Sequence, residues 1–169
     1  MDRIWAPWRL AYVAKAVSAD AKPEAVAGSC FLCAGLAESD DRKNLIVQRL
    51  PSAVTVLNRY PYNNGHLLVA PRAHKGRLAD LESGEILEIQ QTLEGLVRVL
   101  DDLMNPEGYN IGLNLGRAAG AGLPGHLHWH LVPRWNGDTN FMPVVGDVKV
   151  IAQSLDALWE LLSAKLGKE

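Results

Sequence analysis

Gly125-His126-Leu127-His128-Trp129-His130-Leu131-Val132-Pro133-Arg134 alternates imidazole with bulky apolar side chains, and this alternation decides how the rest of the chain is read. In a β-strand, every second side chain points to the same face. His126, His128 and His130 therefore share one surface, while Leu127, Trp129 and Leu131 turn toward a core. Imidazole titrates near neutral pH, so such a face can supply a nucleophile, a base, an acid or a set of metal ligands. The competing readings are a strand whose polar face is merely rich in histidine, and a metal site built by the strand itself.

Immediately upstream runs Gly116-Arg117-Ala118-Ala119-Gly120-Ala121-Gly122-Leu123-Pro124-Gly125, a loop whose backbone N–H groups can approach an anion closely. Asn114 at its start can donate to a phosphate oxygen, and Arg117 is a second candidate; a flexible connector without a ligand is the alternative. Further out, Leu45-Ile46-Val47 and Ala53-Val54-Thr55-Val56-Leu57 flank Pro51-Ser52 like paired strands. After a turn region rich in Asn and Pro, His66-Leu67-Leu68-Val69-Ala70 forms a short, continuously apolar strand ending at Pro71. Ile86, Ile89, Leu93, Leu96, Val97, Leu100 and Leu103 recur at steps of three and four, which predicts a helix of about six turns. Asp80 or Ser83 can cap its start, and Asn105-Pro106-Glu107-Gly108 ends it. Two more strands are predicted at Tyr109–Leu115 and Leu127–Val132, and a last amphipathic helix uses Ile151, Leu155, Leu158, Trp159, Leu162 and Leu166. Residues 1–29 read as an N-terminal arm carrying Trp5 and Trp8, and residues 30–169 as a single domain. The sum is an α+β domain, a mostly antiparallel sheet with helices against it.

A formal charge of −2 over 169 residues argues against general, charge-driven binding to nucleic acid or to an anionic membrane, both of which need a basic face. A small anionic substrate stays open, because a pocket can be locally positive. No apolar run is long enough to span a bilayer, and Met1 to Arg9 lacks the apolar core of a secretion signal, so a cytoplasmic location is expected. In that reducing compartment the two cysteines, Cys30 and Cys33, suggest metal or redox chemistry before a structural disulfide. The pair lacks a thioredoxin-like strand–helix context, which weighs against a redox protein.

The triad and its flanks resemble the histidine-triad (HIT) superfamily, whose motif is His-x-His-x-His followed by two apolar residues. Asn58-Arg59-Tyr60-Pro61-Tyr62-Asn63-Asn64-Gly65-His66-Leu67-Leu68-Val69-Ala70-Pro71 is similar to the family's other recurring stretch, so the resemblance runs from Cys30 to Arg134. Ile4-Trp5-Ala6-Pro7-Trp8-Arg9 and the segment from Pro133 to Phe141 resemble a bacterial branch associated with diadenosine tetraphosphate phosphorylase or hydrolase activity. The resemblance implies a HIT-like fold with one long and one C-terminal helix packed on the sheet. It also implies that His128 attacks the α-phosphorus of a nucleoside polyphosphate, and that water or phosphate then releases the nucleotide. His130 would bond the phosphate or bridging oxygen, with His126 completing the triad. Asn58 corresponds to a ribose contact, Asn114 to an amide near the phosphate, and His66 to a supporting group; Arg117 and Gly125 join them as substrate-binding candidates. Many members carry Gln-Ser or Gln-Thr shortly before the first triad histidine, where this chain has Gly122-Leu123.

The same resemblance implies a structural zinc. Related proteins pair such cysteines with a histidine after the Gly-His strand and with the first triad histidine, which gives Cys30, Cys33, His74 and His126 here. Free thiols and an exposed loop histidine are the alternative. The expected partner is a small-molecule nucleotide, and the family resemblance implies a homodimer, with Trp5 and Trp8 as candidates for closing the partner's pocket. A phosphoramidate hydrolase and a non-catalytic nucleotide-binding adaptor are the competing functions.

Overall fold

The computed structural model describes residues 30–148 and 150–167, so the N-terminal arm, with Trp5 and Trp8, lies outside the described residues. The helices are α1 (Phe31–Ala37), α2 (Ser83–Met104), α3 (Met142–Val145) and α4 (Leu155–Leu166), and the strands β1 (Ile46–Arg49), β2 (Ala53–Leu57), β3 (Leu67–Pro71), β4 (Gly108–Leu113) and β5 (Trp129–Arg134). The strands form one sheet in the order β1-β2-β3-β5-β4, with every neighbouring pair antiparallel. This is the α+β arrangement expected from the sequence.

Alternation along the strands sorts their side chains into two layers. Ala53, Leu57, Leu67, Val69 and Leu131 pack with Ile89, Leu93, Leu96 and Leu100 of α2 and with Leu158 and Leu162 of α4. Ile46, Val54, Val56 and Ala70 point the other way and pack with Cys30 and Leu32 at the start of α1. Both faces of the sheet centre are thus covered, which is why every residue of β2 and β3 is buried. Full burial of one such leucine contributes about 2 kcal/mol, so the α2 stripe is a main source of stability.

Several boundaries differ from those read in the sequence. The cap of α2 is Glu82, neither Asp80 nor Ser83: Glu85 reaches back to accept from the Glu82 N–H at 2.7 Å while Glu82 accepts from the helix in return, a reciprocal box that leaves Ser83 inside the first turn. Ile86 stays exposed, because the buried stripe begins at Ile89. At the far end Asn105 adopts φ 44° and closes the helix by donating its N–H to Asp101 O. Ile151 precedes α4, whose cap is Ser154, accepting from Ala157 N. Strand β5 begins at Trp129 and not at Leu127, because the Leu127 N–H donates to Lys75 O at 2.7 Å instead of joining a strand ladder. The triad therefore straddles the start of the strand. Among the described residues no helix is long and apolar enough to cross a membrane.

Candidate active site and metal centre

The three triad histidines lie on the sheet face opposite α2 and α4, and the backbone around each ring fixes which nitrogen carries the proton. His128, 6% exposed, has Nδ1 at 2.8 Å from His126 O. A carbonyl only accepts, so Nδ1 holds the hydrogen and Nε2 keeps its lone pair. His126 has Nε2 at 2.8 Å from Pro71 O, which places its hydrogen on Nε2 and its lone pair on Nδ1. Neighbouring rings in one segment thus expose opposite nitrogens.

His130 is set by a longer chain of contacts. The Tyr62 N–H donates to His66 Nδ1 at 3.0 Å, so neutral His66 carries its hydrogen on Nε2. That nitrogen lies 2.9 Å from His130 Nδ1, which must accept. His130 then carries its own hydrogen on Nε2, an atom that is buried and has no hydrogen-bond partner among the described residues. Burial, with His128 nearby as a secondary cause, pushes the His130 imidazole down to about 4, so it is neutral near pH 7. The rings of His128 and His130 meet edge-on at 5.1 Å between centroids. The site therefore sets an imidazole lone pair beside an imidazole N–H donor, which is what attack on a phosphorus and stabilisation of the displaced oxygen require.

Of the other expected site residues, Asn58 and His66 join this network directly. Asn58 Nδ2 lies 3.2 Å from His66 Nδ1, and Asn58 Oδ1 accepts from the Tyr60 N–H at 2.9 Å. Asn114 is half-buried one residue beyond the last ladder pair, Leu113 with Trp129, on the side of His128. Arg117 is exposed in a short 3-10 turn spanning Arg117–Ala119. Gly125 lies against Gly76, where a Cβ would stand 3.1 Å from the Gly125 carbonyl oxygen. Leu123, in the stretch where relatives place a hydroxyl residue, packs against the cluster beneath α1, and its carbonyl accepts from the His126 N–H. Tyr62 had no assigned role in the sequence reading. Its ring stacks near-parallel on His130 at 5.7 Å and lies tilted on His66 at 4.6 Å. Its presence within the recurring Asn58-to-Pro71 stretch was the available signal.

The second cluster joins α1, the loop after β3 and the start of the triad. One ligand atom from each of Cys30, Cys33, His74 and His126 lies within 4.8 Å of the others, a set that can coordinate a metal ion. Cys30 Sγ stands 3.2 Å from His126 Nδ1, and Cys33 Sγ stands 3.2 Å from His74 Nδ1 and 3.6 Å from His126 Nδ1. Burial holds His126 below its ordinary range, with the charges of His74 and His128 adding to this against the Pro71 carbonyl. It therefore has the neutral form a metal ligand needs. Burial, then the neighbouring Cys30, pushes the Cys33 thiol up to about 11. A cation among the four groups would reverse that preference and hold the thiolate.

The sheet order, the flanking helices and the histidine face together define a histidine-triad domain. A family model described as the HIT domain matches residues 39–137. The AP-4-A phosphorylase of Mycobacterium tuberculosis is 38% identical over 170 residues, spanning 100% of this chain and 86% of that protein. Among solved structures, a Zn-bound histidine triad family protein from Mycobacterium smegmatis aligns with a TM-score of 0.66 at 24% identity, over 84% of this chain and 96% of that one. Plasmodium falciparum diadenosine triphosphate hydrolase, solved with cyclomarin A, aligns with a TM-score of 0.60 at 21% identity, over 77% and 80%. These two likenesses speak to the fold. The chain belongs to the histidine-triad family.

Proposed function

We propose that this protein is a nucleotidyl hydrolase or transferase that cleaves dinucleoside polyphosphates such as diadenosine tetraphosphate. The observation that carries the mechanism is the His128 tautomer: with Nδ1–H bound to His126 O, the Nε2 lone pair is the reactive one. His128 Nε2 attacks the α-phosphorus, a P–N bond forms, and the bond from that phosphorus to the bridging oxygen breaks. The Nε2–H of His130 faces the charge that develops on the phosphate and bridging oxygens. Phosphate or water then attacks the nucleotidyl-histidine and restores His128. With Leu123 committed to packing, His130 takes the donor role that a hydroxyl shares in many relatives. Asn58, Asn114, Arg117 and Gly125 surround the nucleotide in this reading, and His66 orients His130. The similarity to the mycobacterial phosphorylase over the whole chain supports the choice of substrate.

The ion fitting the second cluster is zinc. Tetrahedral zinc with S and N ligands sets its neighbouring ligand atoms about 3.5 Å apart; three of the four sulfur–nitrogen pairs here stand at 3.2, 3.2 and 3.6 Å, and all four ligand atoms lie within 4.8 Å of one another. Bound there, zinc supplies structure: it fastens α1 and the His74 loop to the triad segment. The proposal extends to a cytoplasmic homodimer whose subunit is one domain over residues 30–169. Support for the dimer comes from Ile111, 50% exposed on edge strand β4, and Leu87, 58% exposed on α2.

The test is incubation of purified protein with diadenosine tetraphosphate, with and without inorganic phosphate. ADP plus ATP formed only with phosphate identifies phosphorolysis, and AMP plus ATP without it identifies hydrolysis. Absence of products in both arms sinks the reading.

A further inference from the structure

A buried carboxylate joins the turn before β3 to the segment around the end of β5. Asn63, 7% exposed, donates from Nδ2 to Pro133 O at 3.1 Å and to Asp138 Oδ2 at 2.8 Å. The Asp138 side chain is itself 8% exposed, pairs with the Arg134 guanidinium through Nε and Nη2, and accepts from the Trp135 N–H at 3.3 Å. Arg134 in turn donates from Nη1 to Asn110 Oδ1 on β4 at 2.6 Å. A carboxylate so withdrawn from water needs its lone pairs occupied, and here a guanidinium, an amide and a backbone N–H occupy them. The turn is also seated sterically. Gly65 has φ +76°, and a Cβ there would stand 2.9 Å from both Met104 Sδ and Pro133 Cγ.

From Asn63 a continuous set of contacts leads to the triad. Asn63 O accepts from the His66 N–H at 3.3 Å, the Tyr62 N–H donates to His66 Nδ1 at 3.0 Å, and His66 Nε2 meets His130 Nδ1 at 2.9 Å. Asp138 stands at the other end of that series. We propose that Asp138 is a positioning residue for His130: by seating Asn63 it holds the Tyr62–His66 turn in the geometry that keeps the His130 hydrogen on Nε2. If the seat loosens, the Tyr62 N–H and His66 Nδ1 separate, that nitrogen keeps Asn58 Nδ2 but loses its backbone donor, and the His66 N–H is held less firmly on His130 Nδ1. The hydrogen then divides between the two His130 nitrogens, and a lone pair faces the anionic phosphate for part of the time. The importance of that tautomer for catalysis rests on the function proposed above.

The test compares Asp138→Ala with Asp138→Asn, the second keeping an oxygen for Asn63 while losing the charge opposite Arg134. Nitrogen-15 correlation spectra of histidine-labelled, metal-loaded protein report the ring tautomer without any substrate. Wild-type His130 is expected as a fixed Nε2–H form, Asp138→Ala as an average of both tautomers, and Asp138→Asn between them. Turnover of diadenosine tetraphosphate is expected to fall about 10- to 100-fold in Asp138→Ala, the usual consequence of removing a supporting partner, with KM little changed. An unchanged His130 tautomer in Asp138→Ala overturns the proposal. So does a rate loss that only follows the loss of folded protein by circular dichroism. If wild-type protein leaves the dinucleotide intact while the tautomer still shifts, the substrate assignment fails and the positioning role stands.

Discussion

His126 and His128 are separated by one leucine, yet the fold presents them to different surroundings through opposite nitrogens. His126 is 0% exposed, binds Pro71 O through Nε2 and turns Nδ1 toward two thiols. His128 binds His126 O through Nδ1, which leaves the lone pair on its other nitrogen. In the proposed roles, one residue type, two positions apart, would serve as ligand or as nucleophile according to which nitrogen a backbone carbonyl occupies. The carbonyls are where they are because β3 ends at Pro71 and Leu127 pairs with Lys75, which takes His126 off the strand ladder. A metal half and a reactive half therefore meet within three residues, and the proposed roles can be separated by mutation.

The largest effect should come from the reactive half. His128→Ala is expected to lower kcat by at least about ten-thousandfold, the scale seen when a covalent nucleophile is removed. Its melting temperature and metal content should stay close to wild type, because among the described residues the ring makes one hydrogen bond, to the His126 carbonyl. Rapid-quench assays with radiolabelled dinucleotide should show labelled protein for wild type and none for the variant. Near-normal turnover would erase the distinction between the two halves. The second effect belongs to the metal half. Cys33→Ser should reduce bound zinc in elemental analysis and lower the melting temperature, with an affinity loss of about tenfold or more. Turnover per folded molecule should fall far less than in His128→Ala. Equal losses of rate in both variants would show that the metal half takes part in the chemistry.

A smaller, pH-dependent effect sharpens the same contrast from the side of His130. An unfolded histidine takes up its proton near 6.5, whereas burial defers uptake in the folded protein to about 4. Between those values the unfolded chain binds more protons, so stability is complete above about pH 6.5 and declines as pH falls toward 4. His130→Gln has no proton to defer, so its unfolding free energy should depend less on pH in that window. Denaturant titrations of both proteins, metal-loaded, measure this. Parallel curves would mean that His130 is not held neutral by the fold.

The sequence displayed some of this more clearly than the rest. Alternation carried the triad strand, and the stripe from Ile89 to Leu100 carried α2, because burial on one face leaves a period that can be read without coordinates; β2 and β3, buried on both faces, showed instead as continuous apolar runs. The four metal-site residues came from Cys-x-x-Cys and from family spacing, and they converge as expected. The tautomers were not legible, since they depend on Pro71 O and His126 O, backbone atoms that every residue type possesses. The Asp138 seat was hidden for a related reason. Asn63 and Asp138 are 75 positions apart, and neither residue type advertises a partner at that range. The short helix α1 escaped notice because its seven residues carry too few turns for a period to emerge.

Arg117 offers the smallest effect and a limit on how far the reactive half extends. It sits exposed in the turn Arg117–Ala119, so its attraction to a polyphosphate acts through water and is weakened by screening. An exposed charge pair contributes at most about 1 kcal/mol, or roughly fivefold in an equilibrium constant. Arg117→Ala should therefore raise KM for diadenosine tetraphosphate about two- to fivefold, leave kcat near wild type, and lose most of that difference in high salt. A change confined to kcat would place the guanidinium on the transition state and widen the reactive half to include the glycine loop. An unchanged KM at low salt would confine the phosphate contacts to the loop backbone, Asn114 and the histidines.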